Sequence, residues 1–128
     1  MGDLTKNFSR KEFACKCGCG FADINPDIVT IAQAIRDKVE EPVIVSSGCR
    51  CKTHNKRVGG VHNSPHLTGM AADFRCKSGA VKIFSAIKAM TDAGELPKWG
   101  YCKRYIKQNF VHIDVNIKNR TFVYAEGN

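Results

Sequence analysis

No stretch of this 128-residue chain stays apolar for the ~20 positions a spanning helix needs, so no membrane segment is expected. The first residues, Met1-Gly2-Asp3-Leu4-Thr5-Lys6-Asn7, lack the apolar run of a secretory signal, and synthesis in the cytoplasm is expected. Repeats, low-complexity tracts and linkers are also missing, so residues 1–128 read as one domain, large enough to bury a real core. Acidic residues are scarce, 12 against 20 Lys and Arg, which leaves a formal charge of +8. That surplus favours polyanions. No helix-turn-helix, zinc-finger or RNA-recognition signature accompanies it, so nucleic acid is not an expected partner. The basic residues are scattered (Lys52, Lys56, Arg57; Lys98, Lys103, Arg104, Lys107) rather than gathered in a tail.

Cysteine, by contrast, is plentiful. There are seven, an odd number, so they cannot all pair internally. Without a signal segment, reduced thiols are the default. Cys15, Cys17 and Cys19 alternate with Lys16 and Gly18, and Cys49 and Cys51 flank Arg50. Thiolates suit structural zinc, but one intervening residue is tighter than the usual two-to-four-residue knuckle. Buried small hydrophobes or occasional disulfides are therefore expected.

The rest of the chain divides into recognisable elements. Ser9-Arg10-Lys11-Glu12 matches a capping box that opens a short turn through Phe13. Asn25-Pro26 is a helix start, and Ile28, Ile31, Ala32, Ile35 and Val39 continue at helical spacing, predicting a helix over 26–39. Val43 to Ser46 reads as a buried strand, followed by a polar, glycine-dotted loop from Cys49 to Thr68. Met70 to Arg75 reads as a strand, and Ala80 to Ala93 as a second amphipathic helix ended by Gly94. Short strands are expected near Trp99–Lys103, Phe110–Val115 and Thr121–Tyr124. The sum is an α+β domain, a small antiparallel sheet packed against two main helices.

Two segments carry chemistry. His66 and Asp73 stand seven residues apart in Ser64-Pro65-His66-Leu67-Thr68-Gly69-Met70-Ala71-Ala72-Asp73, and His112 follows in Asn109-Phe110-Val111-His112-Ile113-Asp114-Val115. Two histidines and a carboxylate suit a catalytic zinc, because three protein ligands leave one position open. Strand alternation turns Val111, Ile113 and Val115 toward the core, and Phe110, His112 and Asp114 toward the other face. On that face Asp73 and His112 can meet His66, arriving from the preceding loop. Asp114 lies about 6.6 Å beyond His112 along the strand. It is the candidate general base, the competing role being to orient a ligand histidine. Arg50 is either a structural partner of Asp73 or a binder of a substrate carboxylate or oxyanion. His54 and His62 read as surface residues.

Together these segments resemble the zinc D-alanyl-D-alanine peptidases, a family of peptidoglycan carboxypeptidases, L-alanyl-D-glutamate endopeptidases and phage endolysins. The resemblance rests on Ser64-x-His66-x-x-Gly69-x-Ala71-x-Asp73 with the late His112. It extends to Phe8-Ser9-x-x-Glu12-Phe13, Ser47-Gly48-x-Arg50-Cys51, and Asn55 with Val58-Gly59-Gly60, covering about residues 8 to 124. It implies zinc held by His66, Asp73 and His112, with Arg50 at the position of a substrate-binding arginine. Many relatives place an acid three residues before the last ligand, where this chain has Asn109, so the base role would pass to Asp114. The implied function is hydrolysis of an amide bond in the peptide stem of bacterial peptidoglycan, by a monomer released to the wall in phage fashion. The alternative is a non-catalytic, zinc-stabilised wall-binding or virion structural module on the same scaffold.

Overall fold

A computed structural model describes residues 2–128. The chain forms helices α1 (Pro26–Val39), α2 (Lys52–Arg57) and α3 (Ala80–Asp92). Its strands are β1 (Val43–Ser47), β2 (Ala71–Cys76), β3 (Tyr101–Tyr105), β4 (Phe110–Asp114) and β5 (Val123–Gly127). Short 3₁₀ turns occupy Arg10–Phe13 and Pro65–Thr68. The fold is α+β, as the sequence implies.

The helices begin and end where local chemistry dictates. Asn25 Oδ1 accepts from Asp27 N at 2.8 Å ahead of Pro26, which opens α1. Glu12 Oε2 accepts from Ser9 N at 2.7 Å, closing the expected capping box. Ile28, Ile31 and Ile35 of α1 and Ile83 and Ile87 of α3 are fully buried. They share one core with Phe74 of β2, Val111 and Ile113 of β4, and Trp99. This is the apolar side of the strands; the opposite side is left for polar chemistry.

The strands lie in the order β1-β2-β4-β3-β5. Pairing is antiparallel except between β3 and β5, which run parallel, so the sheet is mixed rather than antiparallel throughout. Pairing direction depends on where the chain returns after β4, which the residues of β5 do not encode. The second correction concerns 49–68, which holds a helix and a 3₁₀ turn. The six residues of α2 (KTHNKR) carry no apolar period, so hydrophobic patterning is blind to them. The helix starts because Cys51 Sγ caps it, accepting from His54 N at 3.4 Å.

Candidate metal centre

β2 and β4 pair in a register that sets Asp73 directly opposite His112. Cross-strand partners share a face of the sheet, and here they touch: His112 Nδ1 lies 2.9 Å from Asp73 Oδ1. His66 arrives from the Pro65–Thr68 turn, which Ser64 caps by accepting from His66 N at 3.2 Å. The imidazole is 2% exposed, and its Nε2 reaches the same Asp73 Oδ1 at 3.2 Å. Three side chains distant in sequence thus aim a ring nitrogen, a carboxylate oxygen and a second ring nitrogen at one point.

The outward atom of each is held by another group. His66 Nδ1 donates to the Gly48 carbonyl at 2.6 Å, which turns Nε2 inward. Asp73 Oδ2 accepts from Arg50 at 3.3 Å. His112 Nε2 lies 3.3 Å from Asp114 Oδ2. Such outer partners fix tautomer and ring orientation in metal sites. The inner separations of 2.9 and 3.2 Å also approach the about 3.4 Å that tetrahedral zinc, with ligand bonds near 2.1 Å, sets between donors. The donor set therefore fits zinc.

The electrostatics agree. Burial alone would raise the Asp73 carboxyl, but hydrogen bonds from His112 and His66 hold it far below the usual carboxylate range. Burial would lower His112, yet Asp114 and then Asp73 outweigh it and push the imidazole up to about 9. Without metal the ring is a cation between two carboxylates, and a metal ion would replace its inner proton.

Arg50 does what the first of its two sequence readings requires, pairing with Asp73. Its Nε donates to Ser47 Oγ at 2.9 Å and one terminal nitrogen to Asn55 Oδ1 at 3.1 Å, while its backbone N–H donates to the His66 carbonyl at 3.0 Å. It also lines a cleft of about 500 Å³ above the centre, so a substrate-binding role stays available to its remaining N–H groups. Asp114 is 1% exposed and is not part of that cleft wall. It lies under the His112 ring, with Asn116 N donating to its Oδ1 at 3.3 Å and Arg120 3.8 Å from Oδ2. His62 is exposed and His54 partly so, and neither joins the centre.

Asn109 is not among the residues lining the cleft. It occupies a left-handed position (φ 59°) in the β3–β4 turn, and its Oδ1 accepts from Ala80 N at 2.8 Å, capping α3. Sequence reasoning missed Tyr101, Tyr105 and Arg120 in the cleft wall. Alternation along β3 could have found the tyrosines, since Tyr101 pairs with Asp114 and Tyr105 with Phe110. Arg120 lies outside any strand and gave no signal; its guanidinium stacks 3.8 Å above the Tyr101 ring.

No curated protein matches the chain. The family model described as Peptidase M15 matches residues 6–114, a span that contains every residue of the centre and ends on Asp114. A convergent His-Asp-His donor set within a match that covers most of the sequence places this chain in the M15 family of zinc D-alanyl-D-alanine metallopeptidases.

Proposed function

We propose that this chain is a zinc-dependent peptidoglycan hydrolase that cleaves an amide bond in the peptide stem, with His66, Asp73 and His112 as the zinc ligands. The observation that carries the reading is the convergence of those three side chains beneath a cleft, each with its outer atom already engaged. Bound there, zinc supplies a Lewis acid for the scissile carbonyl and an acidified water as nucleophile.

The chain's own residues do the rest. Arg50 holds Asp73 Oδ2 and so keeps Oδ1 turned inward. Its spare N–H groups stabilise negative charge that develops on the substrate. Arg120, braced on Tyr101, adds a second cation to the cleft wall, suited to a stem carboxylate. Of the two roles open to Asp114, the orienting one is supported by its burial and its 3.3 Å contact with His112 Nε2. The charge of +8 draws a single-domain, monomeric enzyme to anionic wall polymer, and release of endolysin type would bring it there.

One observation favours the non-catalytic alternative: among the described residues Asp73, a metal ligand in this reading, is the only carboxylate lining the cleft, and Asp114 lines a smaller pocket beside it with Arg120. Turnover decides. Purified protein should release stem-peptide fragments from peptidoglycan, and chelator or His66→Ala should abolish the release. Wall binding with no turnover at any zinc loading would establish the alternative instead.

A further inference from the structure

Three of the seven cysteines, Cys49, Cys76 and Cys102, are buried as small hydrophobes in the main core. The other four gather elsewhere. Cys15, Cys17 and Cys19 come from the loop after the Arg10–Phe13 turn, and Cys51 from the residue that caps α2, 36 positions beyond Cys15. All four sulfurs lie within 4.8 Å of one another. The separations are 3.4 Å for Cys15–Cys17, 3.6 Å for Cys17–Cys51 and 3.9 Å for Cys15–Cys51. A zinc ion with four thiolates at about 2.3 Å sets its sulfurs about 3.8 Å apart. These separations are close to the edges of that tetrahedron.

The surrounding backbone is built for thiolates. Cys51 N donates to Cys15 Sγ at 3.4 Å, and His54 N donates to Cys51 Sγ at 3.4 Å. The loop can fold its three sulfurs inward because Gly18 and Gly20 take left-handed backbone (φ 84° and 93°) with open space around them. Cys15 N donates to the Phe21 carbonyl at 2.8 Å, tying the two ends of the loop together.

We propose that Cys15, Cys17, Cys19 and Cys51 form a closed tetrathiolate zinc site, separate from the His66–Asp73–His112 centre. Binding exchanges the thiol protons for four Zn–S bonds and releases those protons to solvent, with no change of oxidation state. The ion staples the loop over 15–20 to the turn over 49–51. Arg50 sits between Cys49, anchored in the core, and Cys51, anchored on the metal. The site thereby fixes the backbone that aims the guanidinium at Asp73.

The test is metal stoichiometry on the reduced, full-length protein. Wild type should carry two zinc equivalents, Cys17→Ser/Cys19→Ser one, and His66→Ala one. Cys17 and Cys19 are exposed, so their replacement leaves the core packing intact. Cobalt(II) loaded into the His66→Ala protein should give an intense near-ultraviolet sulfur-to-metal charge-transfer band, absent once Cys17 and Cys19 are also replaced. This signal does not depend on the His-Asp-His centre, so failure of one site is distinguishable from failure of the other. One equivalent in wild type that Cys17→Ser/Cys19→Ser leaves unchanged would overturn the proposal. So would a cobalt spectrum without the charge-transfer band, or a native thiol titration showing a disulfide among the four.

Discussion

The His66–Asp73–His112 centre and the four-cysteine cluster differ in donors, in support and in access. The first has two nitrogens and an oxygen, two of its residues on paired strands, and a cleft above it. The second has four sulfurs on loops and a helix cap, with every donor turned toward the others. Three ligands below a cleft leave a position for substrate, whereas four thiolates close the shell. An open site suits chemistry and a closed one suits support. The difference also explains where rigidity comes from. β-Ladder hydrogen bonds hold Asp73 and His112 in register without help, while the loop over 15–20 has almost no regular structure of its own and gains it from what it grips.

The largest effect expected from breaking this contrast is on the open site. His66→Ala should abolish hydrolysis and remove one metal equivalent while the thiolate signature persists; residual turnover at the wild-type rate would remove His66 from the ligand set. Next, Asp114→Asn should weaken zinc at the centre by about 10- to 100-fold, because His112 loses the carboxylate that orients it. Isothermal titration checks this. Unchanged zinc affinity with loss of the acidic limb of the pH–rate profile would instead return Asp114 to the role of base.

Gly48 joins the two regions, since its carbonyl accepts from His66 Nδ1 and a Cβ there would come within 2.6 Å of the Phe13 carbonyl oxygen. Gly48→Ala should therefore cost about 1–3 kcal/mol by overpacking, read as a lower denaturation midpoint at unchanged slope. Asn109→Ala should cost about 1 kcal/mol through the lost α3 cap and leave kcat untouched. A drop in kcat with unchanged stability would put Asn109 back into the site.

The smallest effect lies outside both proposed sites and serves as a control. Ser78 Oγ and N, and then Lys82, hold Glu41 down at about 2 from its ordinary 4.5. A lowered carboxylate stabilises the folded state fully above about 4.5 and loses that contribution as pH falls toward about 2. The melting-temperature gap between wild type and Glu41→Gln should shrink across that window. A gap that stays constant would show that the Ser78 and Lys82 contacts do not depend on charge.

Much of this was legible in the chain, for local reasons. The 3.6-residue period of Ile28, Ile31 and Ile35 places α1, and the two-residue period of Val111, Ile113 and Val115 turns His112 away from the core. What remained hidden was either aperiodic or non-local. α2 has no apolar stripe, and the direction of β5 follows from the chain's return path. The one-residue spacing of the cysteines conceals that Cys51 comes up beside Cys15 and Cys17.

The sequence by itself determined the helices, the faces of β2 and β4, and the His66, Asp73 and His112 donor set, because each follows from periodicity or from a local motif. Only the tertiary structure decided that Asn109 caps a helix, that Asp114 lies beneath His112, and that four thiols meet. Those outcomes depend on contacts between residues far apart along the chain, where packing and hydrogen bonding set geometry that spacing cannot encode.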